Sequence, residues 1–169
     1  MRRLLDRLYL GAAALGAVAM VGTLVFVVLS IVGHVFDWYV PGTDAYAGYC
    51  MAASGFLALA HTLKRGEHIR VTLVLEHLSG PRQRALETFA IAVATLLGIA
   101  FAYYSARLAY QSWDFNDVST ANDATPLWIP QLAMAAGAIV FAIALVDELV
   151  QQLRGKRVRA APAEALRNE

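Results

Sequence analysis

Long apolar runs separated by short polar connections dominate the chain. The first, Leu8 to Gly33, holds no charged residue. At about 1.5 Å per residue, a helix of that length exceeds the ~30 Å hydrocarbon core of a bilayer, so it is expected to tilt or protrude. Further runs cover about 45–63, 86–110 and 127–146. The pattern predicts an all-α membrane protein. It has a single domain over 1–150, with four transmembrane helices at those positions, and a basic tail at 151–169. The basic start and the small residues Gly16-Ala17-Val18-Ala19 resemble a signal peptide. The run continues to Leu29 and beyond, however, and a signal's apolar region is only about 7–15 residues. An uncleaved first span is expected.

The connections differ in kind. His34 to Asp44 contains Trp38, Tyr39 and Pro41-Gly42, which suit a turn at the membrane–water interface. Between the second and third runs lies a charged, glycine-punctuated elbow, Leu63-Lys64-Arg65-Gly66-Glu67-His68-Ile69-Arg70-Val71. Ile69 to Leu78 follows. On a helix, Val71, Val74, Leu75 and Leu78 share one face, and Ile69 and Leu73 form a second. This segment is too short to cross, and two apolar sides suit a helix lying at the membrane surface. Alternation of Ile69, Val71, Leu73 and Leu75 also fits a strand. An isolated strand there would leave backbone groups unpaired, so the helix is preferred. Ser79-Gly80-Pro81 ends the segment.

The third run places a small residue at every fourth position: Ala90, Ala94, Gly98, Ala102 and Ala106. Such a stripe is expected to pack closely against another helix. Arg107, near the end of that run, is expected to snorkel outward or to pair with Asp114 or Asp37. Gln111 to Thr125 is a polar loop. Thr125-Pro126-Leu127-Trp128-Ile129-Pro130 then opens the fourth run, where prolines cost little at a helix start. Trp113 and Trp128 read as interface anchors.

Composition sharpens the class. The chain is 59% hydrophobic and 16% charged, against roughly 25% charged in soluble domains. Net charge is only +1, but its distribution is uneven. Lys and Arg cluster at the N-terminus (Arg2, Arg3, Arg7), from the elbow to Arg84, and in the tail. The connections at 34–44 and 111–125 have none and instead hold Asp37, Asp44, Asp114, Asp117 and Asp123. By the positive-inside rule, both termini, the elbow and the surface helix are expected in the cytoplasm. The acidic connections face outward, into the periplasm of a bacterial inner membrane. Asp37, Asp114, Asp117, Asp123 and Trp128 then lie where a binding protein could dock.

The chemistry-bearing residues argue against catalysis. None of the four runs has a carboxylate near its middle, where an autonomous carrier usually keeps an ionisable site. His34 falls at the outer end of the first span and His61 at the inner end of the second, on opposite sides of the bilayer, which does not suit haem ligation. Glu67, His68, Glu76 and His77 match no usual metal spacing. The single cysteine, Cys50, sits in an apolar run and excludes an intrachain disulfide. No phosphate loop, nucleophile–base pair or nucleic-acid signature is present. The expectation is an accessory subunit, not an enzyme, without metal or cofactor, contacting membrane lipids and no nucleic acid. Two alternatives are the membrane anchor of a respiratory or cytochrome-b-type enzyme and a stand-alone small transporter.

The elbow Lys64-Arg65-Gly66-Glu67-His68-Ile69-Arg70-Val71, the Gly55 and Ala58 region before it, and Thr125-Pro126-Leu127-Trp128-Ile129-Pro130 carry a further signal. Together, over about residues 8–150, they resemble the small membrane subunit (DctQ-like) of tripartite ATP-independent periplasmic (TRAP) transporters. Members of that family often carry an acidic pair before the second span; here only Asp44 stands there. The resemblance implies a scaffold for a large multi-span, elevator-type subunit that carries the substrate and sodium sites. It also implies a periplasmic binding protein that delivers an organic acid, such as a C4-dicarboxylate. Arg65, Gly66, His68, Ile69 and Val71 would shape the elbow.

Overall fold

The computed structural model describes residues 2–38, 40–65 and 81–155. It contains four helices: α1 (Arg2–Val35), α2 (Thr43–Arg65), α3 (Pro81–Asp114) and α4 (Trp128–Leu153). Each starts before or ends beyond the apolar run that announces it, because a helix continues through the interface once its nucleus is set. Of the elbow, Arg65 ends α2. Gly66, His68, Ile69 and Val71 lie outside the described residues, as do the expected surface helix at 69–78 and residues 156–169.

Three helices are long and apolar enough to cross a membrane: α1 from Leu4, α3 and α4. The 23-residue α2 is comparable in length to a span, but is less apolar and carries Asp44, Tyr46, Tyr49 and His61. Its position explains that composition. The extensive contacts run from α1 to α2, from α2 to α4, and from α4 to α3. The helices therefore form a row, α1–α2–α4–α3, with α2 and α4 inside it and α1 and α3 at its flanks. A helix flanked on two sides by protein needs less apolar surface than one that meets lipid.

The row leaves many large apolar side chains uncovered on α1, α3 and α4, among them Leu24 at 63%, Leu97 at 64% and Leu132 at 51% exposed, but on α2 chiefly Met51. Lipid tails are as apolar as leucine, so association inside a bilayer rests on close packing rather than on removal from water. The buried residues agree: Ala60, Ala138 and Ala144 are at most 1% exposed, and most of the remaining core is alanine. The α2–α4 seam is closest at Gly137, where an added Cβ would sit 2.6 Å from the carbonyl of Phe56. Phe56 also stacks on Phe101 of α3 at 5.8 Å between ring centroids.

The α3–α4 seam is built from Thr95, Gly98, Ala102, Ser105, Ala109 and Ser112 on the α3 side. Their steps alternate three and four residues, close to the helical repeat. A strict step of four overshoots a full turn by about 40°. The line Ala90, Ala94, Gly98, Ala102, Ala106 therefore winds across the seam. Gly98 and Ala102 are buried against α4, Ala94 is half-buried, and Ala90 and Ala106 are exposed. Thr95 keeps its hydroxyl satisfied within the seam, donating to Ile91 O at 2.7 Å and lying 3.4 Å from Leu145 O.

Candidate functional site

The polar side chains gather at the two ends of the row. At the end bearing the C-termini of α2 and α4, Lys64 forms ion pairs with Asp147 and, at 3.3 Å, with Glu148. All three side chains are less than a quarter exposed. Gln151 donates to Asp147 at 2.9 Å, and Gln152 donates to Glu87 of α3 at 3.2 Å. The Lys64 ammonium also lies 5.5 Å from the centroid of the Tyr9 ring. Tyr9 is 2% exposed and packs with Ala60 and Ala144. All four helices thus contribute to one cluster. A lysine at a membrane boundary is costly without a counter-charge, and two acids one helical step apart supply it.

The opposite end is held by a loop. Residues 115–127 fold back on themselves through an isolated bridge between Val118 and Pro126, with Ser119 N bonded to Thr125 O at 2.8 Å. Asp123, at the tip of this hairpin-like loop, accepts from Tyr49 of α2 at 3.0 Å and from Ser119 at 2.8 Å. A hydrogen bond from Thr125, then those from Ser119 and Tyr49, hold its carboxyl well down, at about 2, against the opposing effect of burial. These are neutral donors to an anion, and they favour the charged form. Tyr46 continues the cluster, 3.4 Å from the Thr125 hydroxyl and 5.4 Å from Phe26 between ring centroids. Gly42 lies beneath, with φ +80°, and an added Cβ there would come 2.7 Å from that of Asp123. Only glycine satisfies both the turn and this approach.

Beside the loop is a cleft of about 620 Å³ lined by Ser30, His34, Asp37, Trp38, Asp44 and Asn122, among others. Ser30 donates to Asp44 at 2.9 Å, joining α1 to the start of α2. Asp37 adopts a left-handed conformation, φ 52°, where the chain leaves α1.

The residues expected to face a partner are therefore brought to one end of the row. Asp37 lines the cleft, Asp114 ends α3, Asp117 and Asp123 belong to the loop, and Trp128 opens α4 half-buried. Asp123 differs from the rest, because its carboxylate is engaged internally. Arg107 is exposed and forms an ion pair with neither Asp114 nor Asp37. His34 and His61 lie at opposite ends of the α1–α2 pair.

Sequence reasoning missed Tyr46 and Tyr49 as anchors of the loop and did not join Lys64 to Asp147 and Glu148. The second had a readable signal: a lysine at the end of one span and two acids at the end of another meet at one depth if the helices are antiparallel to their neighbours in sequence. The first had none, since Tyr49 and Asp123 are 74 residues apart.

The described residues thus present a row of four helices, three of them long and apolar enough to cross a membrane, with structural polar clusters at both ends and apolar faces between. No curated protein matches the chain at a significant level. The family of the DctQ component of tripartite ATP-independent periplasmic transporters matches it over residues 23–155, from the middle of α1 through the end of α4. With the match covering most of its length, the chain belongs to that family and is a small membrane subunit of a TRAP transporter.

Proposed function

We propose that this subunit is the fixed scaffold of a sodium-driven importer of an organic acid. A C4-dicarboxylate or another small carboxylate is the substrate class. A larger, elevator-type membrane subunit carries the substrate and sodium sites, and a periplasmic binding protein delivers the substrate. The observation that carries the scaffold role is the open row α1–α2–α4–α3, pinned at both ends and apolar on its exposed faces. Such a row has one face for lipid and one for a partner. Its polar groups are engaged in holding helices together, not in lining a path between them.

The distribution of Lys and Arg supports the orientation. The Lys64–Asp147 end and both termini are cytoplasmic, in the inner membrane of a bacterium. The Asp123 loop and the cleft beside it face the periplasm and form the docking side for the binding protein. The fourth helix, α2, crosses the membrane as the other three do, sheltered between α1 and α4.

Gentle-detergent purification of the tagged chain from native membranes tests this reading. The expected result is a larger multi-span protein recovered in equal amount, with sodium-dependent uptake of a carboxylate on reconstitution of the pair together with the binding protein. A haem- or flavin-bearing partner, or uptake by this chain alone in liposomes, would contradict it.

A further inference from the structure

The α3–α4 pair carries an apolar groove on one face. Its upper part, about 400 Å³, lies between Tyr110, Trp113, Trp128 and Leu132, over a floor that includes Ala106 and Ala136. Its lower part, about 280 Å³, continues from Ile139, which borders both, to Val146 beside Asp147. From Trp128 to Ile139 the helix rises about 16 Å, close to half of a ~30 Å hydrocarbon core. The upper groove therefore has the depth of a single leaflet, with tryptophans at its mouth.

Arg107 stands beside this groove. With Tyr103 and Tyr110 it forms a line at i, i+4 and i+7 along α3, and Tyr110 belongs to the groove as well. Both tyrosines are more than 60% exposed. Arg107 is exposed too, about 9 Å below Trp113 along the helix. It has no ion pair with any acid among the described residues. The nearest acid on the same line, Asp114, is two turns further on and does not reach it. A guanidinium at that depth must extend to the headgroup level or meet an anion.

We propose that these two features form one phospholipid site: the upper groove holds an acyl chain, and Arg107, extended past Tyr110 toward the mouth of the groove, holds the phosphate of an anionic lipid. Three observations favour a lipid over a protein carboxylate. The upper groove matches one leaflet in depth. Its mouth is built from the aromatic residues that sit at headgroups. A planar guanidinium with several donors suits a phosphate, which accepts from several directions.

The chain has three tryptophans, so Trp38→Phe leaves Trp113 and Trp128 as reporters at the groove mouth. The full chain with that change is reconstituted in phosphatidylcholine vesicles. These are doped with either phosphatidylglycerol or phosphatidylcholine carrying dibrominated acyl chains, which quench nearby indoles. Brominated phosphatidylglycerol is expected to quench at about fivefold lower mole fraction, the worth of one basic residue meeting an anionic lipid. Arg107→Gln abolishes that preference, Arg107→Lys retains part of it, and Ala106→Leu with Ala136→Leu weakens quenching by both lipids. Circular dichroism confirms that each variant is folded. Equal quenching by the two lipids in the parent chain would overturn the proposal, as would a preference that survives Arg107→Gln. Loss of a co-purifying membrane protein in Arg107→Gln, with the lipid preference unchanged, would assign Arg107 to a protein acid and would also overturn it.

Discussion

At one end of the α2–α4 pair a lysine meets two carboxylates carried on a single helix. At the other, a loop carboxylate meets hydroxyls, two from its own loop and one from α2. Both arrangements fasten α2 to the α3–α4 half of the chain, yet they respond differently to damage. In the Lys64 cluster, removing the lysine takes away the cation that Asp147 pairs with at a membrane boundary. In the Asp123 cluster, every donor is neutral, so the loss of one bond strands no second charge, and protonation of the acid weakens the clasp. The first is suited to holding helices at a fixed depth, the second to holding a loop in shape on an aqueous surface.

The comparison is broken most severely by separating the helices that both ends join. Gly137→Val places a branched side chain against the Phe56 backbone, which cannot retreat as a flexible side chain would. A loss of about 3 kcal/mol is expected, at the upper end for overpacking, read from unfolding in mixed micelles. Next in size, Lys64→Met leaves Asp147 without the cation it pairs with and costs about 2 kcal/mol. Adding Asp147→Leu to it is expected to restore part of that loss, since a neutral pair costs less than a stranded charge. A double variant less stable than Lys64→Met would show that the cluster does not act as an ion pair.

A smaller effect is expected at the loop. Asp123 titrates at about 2 in the folded chain, below its ordinary value of 3.8. Its contribution is therefore complete above about pH 4 and is lost as the pH falls toward 2. Proteolysis of the 115–127 loop by an acid-tolerant protease is expected to rise over that window. Asp123→Asn should already be cut faster at neutral pH and show a flatter pH response. A parent chain whose cleavage is flat between pH 4 and pH 2 would contradict the clasp. Smallest of all, Ala90→Leu and Ala106→Leu, exposed on α3, are expected to change the stability of the isolated chain by less than about 0.5 kcal/mol. Ala90→Leu, outside the groove, is also expected to reduce recovery of the larger subunit in co-purification.

How far this molecule was legible in its sequence follows from the range of each signal. The spans α1, α3 and α4 are announced by apolar runs, and Pro126, Trp128 and Pro41-Gly42 mark where chain direction changes. The row α1–α2–α4–α3 was not legible, because no single helix records which neighbour it will face. The α3 seam was half-legible. Small residues did point to close packing, but a strict four-residue step drifts around the helix, whereas Thr95, Gly98, Ala102, Ser105, Ala109 and Ser112 follow its true repeat. Hydroxyl residues at three of those six positions hid the seam from a search for alanine and glycine alone. Asp123 resembled its acidic neighbours until Tyr49 and Ser119 were found bonded to it.

The scaffold role is tested by asking whether the row changes shape while the transporter works. With Cys50 replaced by Ser, spin labels at Leu24→Cys on α1 and Leu97→Cys on α3 occupy exposed positions on the two flanking helices. Their separation can be measured by pulsed electron resonance in the assembled complex. One narrow distance is expected, the same with and without sodium, substrate and binding protein. A shift of several ångströms on adding sodium and substrate would mean that this subunit moves with the transport cycle, and the fixed-scaffold reading would be wrong.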